Sequence, residues 1–421
     1  MAELLQQVRV IDPISETDQL ADVLISDGEI QAVAAHISQS SPDTQIRDCQ
    51  GLVLGSGLVD LYSHSGEPGF EERETLLSFL QAAAAGGFTR VSILPDTSVA
   101  IDNPALVAQL QKQRKVGESL YVSPLLHIWG AITLDVAGKQ MTELADLAAA
   151  GVVGFSDGKP WENLGLVRRV LEYLQPLGKP IAFWPCDRQL IANGVMRESP
   201  DALRFGLPPI PASAETTAIA ALLELVAVTG TPVHIMRVST ARSVELIASG
   251  KAAGLPITAS TTWMHLLLDT KAVKSYNTSL HLAPPLGNPS DVAALRRSVR
   301  AGVVDAIAID HAPYTYEEKV QAFAEAPPGA IGLELALPLL WHNLVETGEF
   351  TALELWRALS TNPAKCLQQK TSAIAANQPA ELTLFDPQAN WKVERKNLYT
   401  LSSNTPWLGQ ELKGRVVRIW C

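Results

Sequence analysis

Hydrophobic and polar positions follow two rhythms along the chain. Over the first 55 residues, runs such as QVRVID and ADVLISDGEIQAV alternate apolar with polar side chains around the pair Asp27-Gly28. A period of two places successive side chains on opposite faces of a strand, and the Asp-Gly pair predicts a hairpin. The final segment, with PAELTLFDP, WKVERK and GRVVRIW, returns to the same style. Between these ends, eight short apolar runs occur at 57–62, 89–95, 119–127, 151–157, 180–186, 232–238, 255–260 and 305–310. They alternate with stretches of helical character such as ERETLLSFLQAAAAG, MTELADLAAAG, LGLVRRVLEYL, SAETTAIAALLELVAVTG and TARSVELIASGKAAG. Eight strands separated by helices predict an α/β fold, a TIM-type (β/α)8 barrel rather than an open doubly wound sheet. The glycine pair in AAGGFT ends a helix before a strand, the reverse of the order in a dinucleotide-binding loop. The expected organisation is a barrel over 56–370 and a small composite β-sandwich built from 1–55 and 371–421.

Composition narrows the functional classes. With 47% hydrophobic and 18% charged residues among 421, the chain has ample material for a large core, which excludes intrinsic disorder. A net charge of −11 without clustered Lys or Arg argues against nucleic acid and against an anionic membrane as partners. No apolar run approaches the roughly 18–20 residues needed to span a bilayer, and MAELLQQVRVIDP does not read as an export signal, so a cytoplasmic protein is expected. The four cysteines, Cys49, Cys186, Cys366 and Cys421, form no CxxC pair, which argues against a thiolate zinc site and against a disulfide framework.

Chemistry in such a barrel lies where strands pass into loops at the C-terminal face. Those positions carry Asp60, Tyr62 and His64 on the first strand, Asp96 after the second and Asp157 after the fourth. Trp184, Cys186 and Asp187 follow the fifth, Arg237 and Ser239 the sixth, and Asp310 and His311 the eighth. Acids and a histidine from different strands could converge on a metal ion; a structural histidine is the competing reading for His64 and the favoured one for His311.

The chain resembles the dihydroorotases of the amidohydrolase superfamily, and the resemblance rests on collinear segments through nearly its whole length. These include SGLVDLYSHSGEPGFEERET, GVVGFSDGKP, VHIMRVSTARSVELI, VVDAIAIDHAPYT, TNPAKCL and SSNTPWLGQELKGRV. The resemblance implies a zinc-dependent barrel that interconverts carbamoyl-aspartate and dihydroorotate in pyrimidine biosynthesis, with related hydrolases acting on other cyclic amides. Against the family's DxHxHxREPG pattern, however, this chain places Tyr62 at the first metal histidine and Gly66 at the substrate-binding arginine. Trp184 replaces the histidine of the HxED pattern, and Arg237 the second histidine of HxxHxS. An indole nitrogen carries no basic lone pair, a guanidinium stays protonated, and a phenol is a poor neutral-pH zinc ligand. The residual ligand set implied by the family is His64, Asp157 and Asp310, with Asp310 matching the acid that shuttles a proton.

The substrate contacts differ too. Asp96 replaces an asparagine, and the family's NPPLR becomes Ala283-Pro284-Pro285-Leu286-Gly287. Exchanging an arginine for Gly66 while gaining Asp96 predicts repulsion of an anionic substrate. His311 is the remaining candidate substrate contact. Arg237 is expected to fill the vacant position with charge by pairing with Asp157 or Asp310. The expectation is a pseudoenzyme without tightly bound cofactor, retained as a structural or regulatory partner of aspartate carbamoyltransferase, as the resemblance implies, with a homo-oligomer as a further association. The alternative is an active zinc-dependent dihydroorotase or related cyclic-amide hydrolase.

Overall fold

Eight parallel strands close into a barrel in a computed structural model that describes residues 2–38, 43–118 and 123–421. In chain order the barrel strands are Leu58–Val59, Phe88–Ile93, Leu125–Gly130, Gly154–Phe155, Ala182–Phe183, Val233–Ile235, Ile257–Thr262 and Ala306–Ala308. The first four pair in sequence order, as do the last four. A parallel bridge between Phe155 and Ile181 joins the two halves. The other seam closes where Asp310 N donates to Tyr62 O (3.1 Å) and His64 N to His311 O (2.7 Å). Each strand falls within or beside an apolar run expected from the sequence. The third is displaced towards the C-terminus relative to 119–127, and residues 119–122 of that run lie outside the described residues.

The helices follow their sequence signals. Leu164–Leu174 coincides with LGLVRRVLEYL and begins at Asn163, whose side chain accepts from Leu166 N. Leu76–Ala85 opens on a capping box of Thr75 and Ser78, which satisfies two otherwise unpaired backbone donors.

The two chain ends meet in a β-sandwich. Leu384 pairs with Leu54 and Leu382 with Ser56 in antiparallel register, joining strand Leu382–Lys392 to Val53–Ser56. The expected hairpin is present between Thr17–Ser26 and Glu29–Ala34, with Asp27 and Gly28 at φ 54° and 78°, both left-handed as its tight turn requires. Strand Glu3–Asp12 is bulged between Leu5 and Val8. Before the bulge it pairs with Gln45–Asp48, after it with Val53–Ser56, so one bent strand serves two parallel partners in turn. Leu5, Val8, Val23, Ile25, Leu54, Leu382 and Leu384 form the sandwich's own core.

Trp356, fully buried on helix Ala352–Leu359, fastens the sandwich to the barrel by donating from Nε1 to Ser56 O (2.8 Å). A methyl group added at Gly55 would fall inside its indole ring. Gly55→Ala is therefore expected to destabilise the protein by about 1–3 kcal/mol through overpacking. A lowered urea midpoint would register this, and an unchanged midpoint would contradict so tight a seam.

Candidate active site at the barrel mouth

A cavity of about 180 Å³ opens at the C-terminal ends of the strands, lined among others by His64, Asp96, Lys159, Trp184, Arg237 and Asp310. Arg237 and Asp310 follow the sixth and eighth strands, and both adopt left-handed backbone conformations (φ 56° and 52°). Such conformations cost a non-glycine residue of the order of 1–3 kcal/mol each, and they are held here by surrounding contacts.

The guanidinium of Arg237, whose side chain is 3% exposed, forms the centre of the site. Its Nε donates to Asp310 Oδ2 (2.9 Å) and its Nη2 to Asp310 Oδ1 (2.5 Å), a two-pronged pair of the kind that planar guanidinium favours. Nη1 donates to Gly158 O (3.0 Å). The Cζ atom lies 4.7 Å from the ring centroid of Trp184 and 5.7 Å from that of Tyr62. The residues at the other two lost metal-histidine positions thus both present their rings to the cation at the third.

His64 completes the cluster. Its Nδ1 lies 3.0 Å from Asp96 Oδ1, and its Nε2 lies 2.9 Å from Arg237 Nη2. Because guanidinium can only donate, this approach makes Nε2 an acceptor in the neutral imidazole, whose proton then sits on Nδ1, towards Asp96. Burial opposes a second proton, but Asp96 and Asp310 pull the imidazole up to about 9. At neutral pH that second proton is in place and turns Nε2 towards Asp310 Oδ1, 3.6 Å away, so that His64 bridges the two carboxylates as a cation. For Asp310 burial works in the opposite direction, and Arg237 and His64 nevertheless hold its carboxyl down at about 2. Asp96 is likewise lowered against the effect of burial, chiefly by His64. Asp96 is therefore a neutralised group rather than the free repulsive charge expected from sequence.

The ligand role expected of Asp157 requires correction, and His311 takes the structural role favoured for it rather than that of a substrate contact. Asp157 does not join His64 and Asp310: its carboxylate accepts from Ile132 N (2.8 Å), Thr133 N (3.0 Å) and Thr133 Oγ1 (2.6 Å), in the loop after the third strand. Arg237 accordingly pairs with Asp310 and not with Asp157. His311 is turned away from the cavity. Its Nδ1 accepts from Gly332 N (3.1 Å) and its Nε2 lies 3.3 Å from the buried Glu74, which also holds Thr400 and Leu401. That histidine fastens the C-terminal segment to the barrel.

Of the remaining positions, Ala283 lines the cavity without a polar side chain to offer. A side chain at Gly66 would strike the backbone of Phe70 and Glu74, so the loop has closed over the place of the family arginine. His265 is bound to Thr262 Oγ1 (2.7 Å) and Pro285 O (3.2 Å), and its burial lowers it to about 4. Lys159, Trp263, Met264 and Tyr314 also line the cavity and were not singled out from the sequence. Lys159 lies in GKP directly after the Asp157 motif, a signal that was legible; nothing local marks the other three.

The donors present do not fit a zinc cage. Tyr62 is wholly buried and its hydroxyl is committed to Ser260 Oγ (2.8 Å), Trp184 has no basic nitrogen, and a guanidinium lies against the two former ligands that remain together. Among the described residues, no three His, Cys, Asp or Glu side chains group so as to hold a metal ion. No helix among them is long and apolar enough to cross a membrane.

Barrel, sandwich and mouth together define an amidohydrolase-type protein. An L-hydantoinase from Arthrobacter aurescens superposes with a TM-score of 0.85 at 20% identity, covering 99% of this chain and 93% of that one. The Dihydro-orotase-like family profile matches residues 51–243, and the Amidohydrolase family profile residues 211–421. A "Probable dihydroorotase-like protein" of Synechocystis is 44% identical across 98% of both chains. A "Dihydroorotase" of Syntrophus aciditrophicus is 38% identical across 99% of this chain and 97% of its own. The chain belongs to the dihydroorotase-like family of the amidohydrolase superfamily.

Proposed function

We propose that this chain is a dihydroorotase-like pseudoenzyme with little or no cyclic-amide hydrolase activity, in which Arg237 supplies the positive charge that a metal supplies in active relatives. The forked pair of Arg237 on Asp310 carries this reading. A guanidinium offers neither a Lewis-acid orbital nor a bound hydroxide, and it ties up the carboxylate that would relay a proton. The vestigial role of Asp310 is then to anchor that cation, that of His64 to bridge Asp310 and Asp96 beside it, and those of Asp96 and Ala283 to line a mouth that has lost its carboxylate clamp.

The family motifs that this chain keeps serve the scaffold. His311 ties Glu74 and the C-terminal segment together, and Asn362 Nδ2 holds Asp305 O (2.9 Å) before the eighth strand. Selection on a scaffold rather than on chemistry fits a structural or regulatory role in pyrimidine biosynthesis, with aspartate carbamoyltransferase of the same organism as the partner. Mixing the two at micromolar concentration and following size-exclusion chromatography by light scattering is expected to give one joint species. Two independently eluting proteins would count against the partnership.

A further inference from the structure

Tyr62 stands at a lost metal-ligand position, yet its ring lies beneath the cavity, wholly buried. Its hydroxyl accepts the backbone N–H of Arg237 (3.1 Å) and lies 2.8 Å from Ser260 Oγ. Ser260 Oγ lies 2.8 Å from His234 Nε2, and His234 Nδ1 lies 2.8 Å from Thr258 Oγ1. These contacts make one continuous line of hydrogen bonds through the barrel interior. Its direction is set at the Arg237 end, because a backbone N–H can only donate. Tyr62 then donates to Ser260, Ser260 to His234 Nε2, and His234 Nδ1 to Thr258. In the reverse order the Tyr62 proton has no acceptor, an arrangement that burial disfavours. Burial lowers His234 to about 3, which keeps the imidazole neutral, as this order requires.

We propose that Tyr62, Ser260 and His234 are positioning residues for Arg237: their hydrogen-bond chain fixes its left-handed backbone so that the guanidinium falls on Asp310. Two of the lost metal-histidine positions then work as a unit, one supplying the cation and the other its support. This deepens, and rests on, the reading that Arg237 takes the place of the ion.

The test combines a double-mutant cycle with spectroscopy on the full chain. In the Tyr62→Phe background, Arg237→Ala is expected to change the unfolding equilibrium by about tenfold less than in the native background, a coupling within the range of residues in direct contact. In the single variant Tyr62→Phe, the Arg237 Nε–H resonance should shift and exchange faster with water, and the Trp184 fluorescence should change as the cation leaves its ring. Ser260→Ala, one bond further away, should move the same signals and shift the His234 nitrogen resonances from a single Nδ1–H tautomer to a mixture. Loss of packing alone would destabilise without these changes. If Tyr62→Phe fails to fold, Ser260→Ala decides the matter by itself. Additive energies with unchanged Arg237 and His234 signals would overturn the chain. Should Arg237→Ala leave the native protein as stable as before, the parent reading fails instead, so the two failures are distinguishable.

Discussion

Arg237→Ala is expected to destabilise the protein by about 3–5 kcal/mol, because it strips a largely enclosed carboxylate of its forked partner. In melting temperature this corresponds to a fall of roughly 3–6 °C for a chain of 421 residues. The loss goes beyond one ion pair: Gly158 O loses its donor, and the rings of Trp184 and Tyr62 each lose the cation beside them. The sign of the pH dependence follows from Asp310, whose folded-state pKa of about 2 lies below its ordinary 3.8. Its contribution is complete above the ordinary value and disappears as pH falls through the folded one. The stability gap between native protein and variant should therefore be widest at neutral pH and should narrow as pH drops from about 4 towards 2. Free guanidinium at millimolar concentration is expected to recover part of the lost melting temperature in Arg237→Ala, by entering the space between Trp184 and Asp310. Urea at the same concentration, uncharged, should not. An unchanged melting temperature in Arg237→Ala would mean that Asp310 needs no counter-charge.

Restoring the three histidines together is expected to have the other large effect. The native protein should carry far less than one zinc per chain and show no appreciable turnover of dihydroorotate in either direction. Tyr62→His with Trp184→His and Arg237→His removes the guanidinium and adds three imidazoles beside His64, which should bring zinc binding to near one ion per chain. Arg237→His alone should bind zinc weakly and remain inactive, because Tyr62 and Trp184 still offer no ligand. Even the triple variant is expected to stay a poor hydrolase: Asp157 is held by Ile132 and Thr133, and Gly66 leaves no room for a substrate arginine. Native protein with stoichiometric zinc and a turnover of the order of 1 per second would contradict the reading of the site.

The fold was largely legible in the sequence, because hydrophobic periodicity is itself the imprint of burial. Eight apolar runs and intervening helices suffice to specify the barrel, and the Asp27-Gly28 turn marks the sandwich hairpin. The third strand begins at Leu125, directly after Ser123-Pro124, where the proline has no N–H to give to a ladder, a boundary that apolar periodicity alone passes over. At the site, what depends on a side chain's own chemistry was readable. That Trp184 and Arg237 cannot ligate zinc follows from their atoms, and that Arg237 would seek a carboxylate follows from charge. Which carboxylate it finds does not. Asp157 and Asp310 are equivalent as letters, and only the loop after the third strand, which gives Asp157 three donors, separates them. For the same reason Tyr62 read as a failed ligand, when its role depends on Ser260 and Arg237 brought close from two other strands.

The claim at the centre of this account is that a guanidinium occupies the metal's place, and a zinc titration followed by melting temperature tests it most directly. A ligand that binds the native state raises the melting temperature as its concentration exceeds the dissociation constant. The native protein is expected to give a flat response through micromolar zinc, and the triple-histidine variant a rising one. A melting temperature of the native protein that climbs with zinc and saturates at one ion per chain would contradict it.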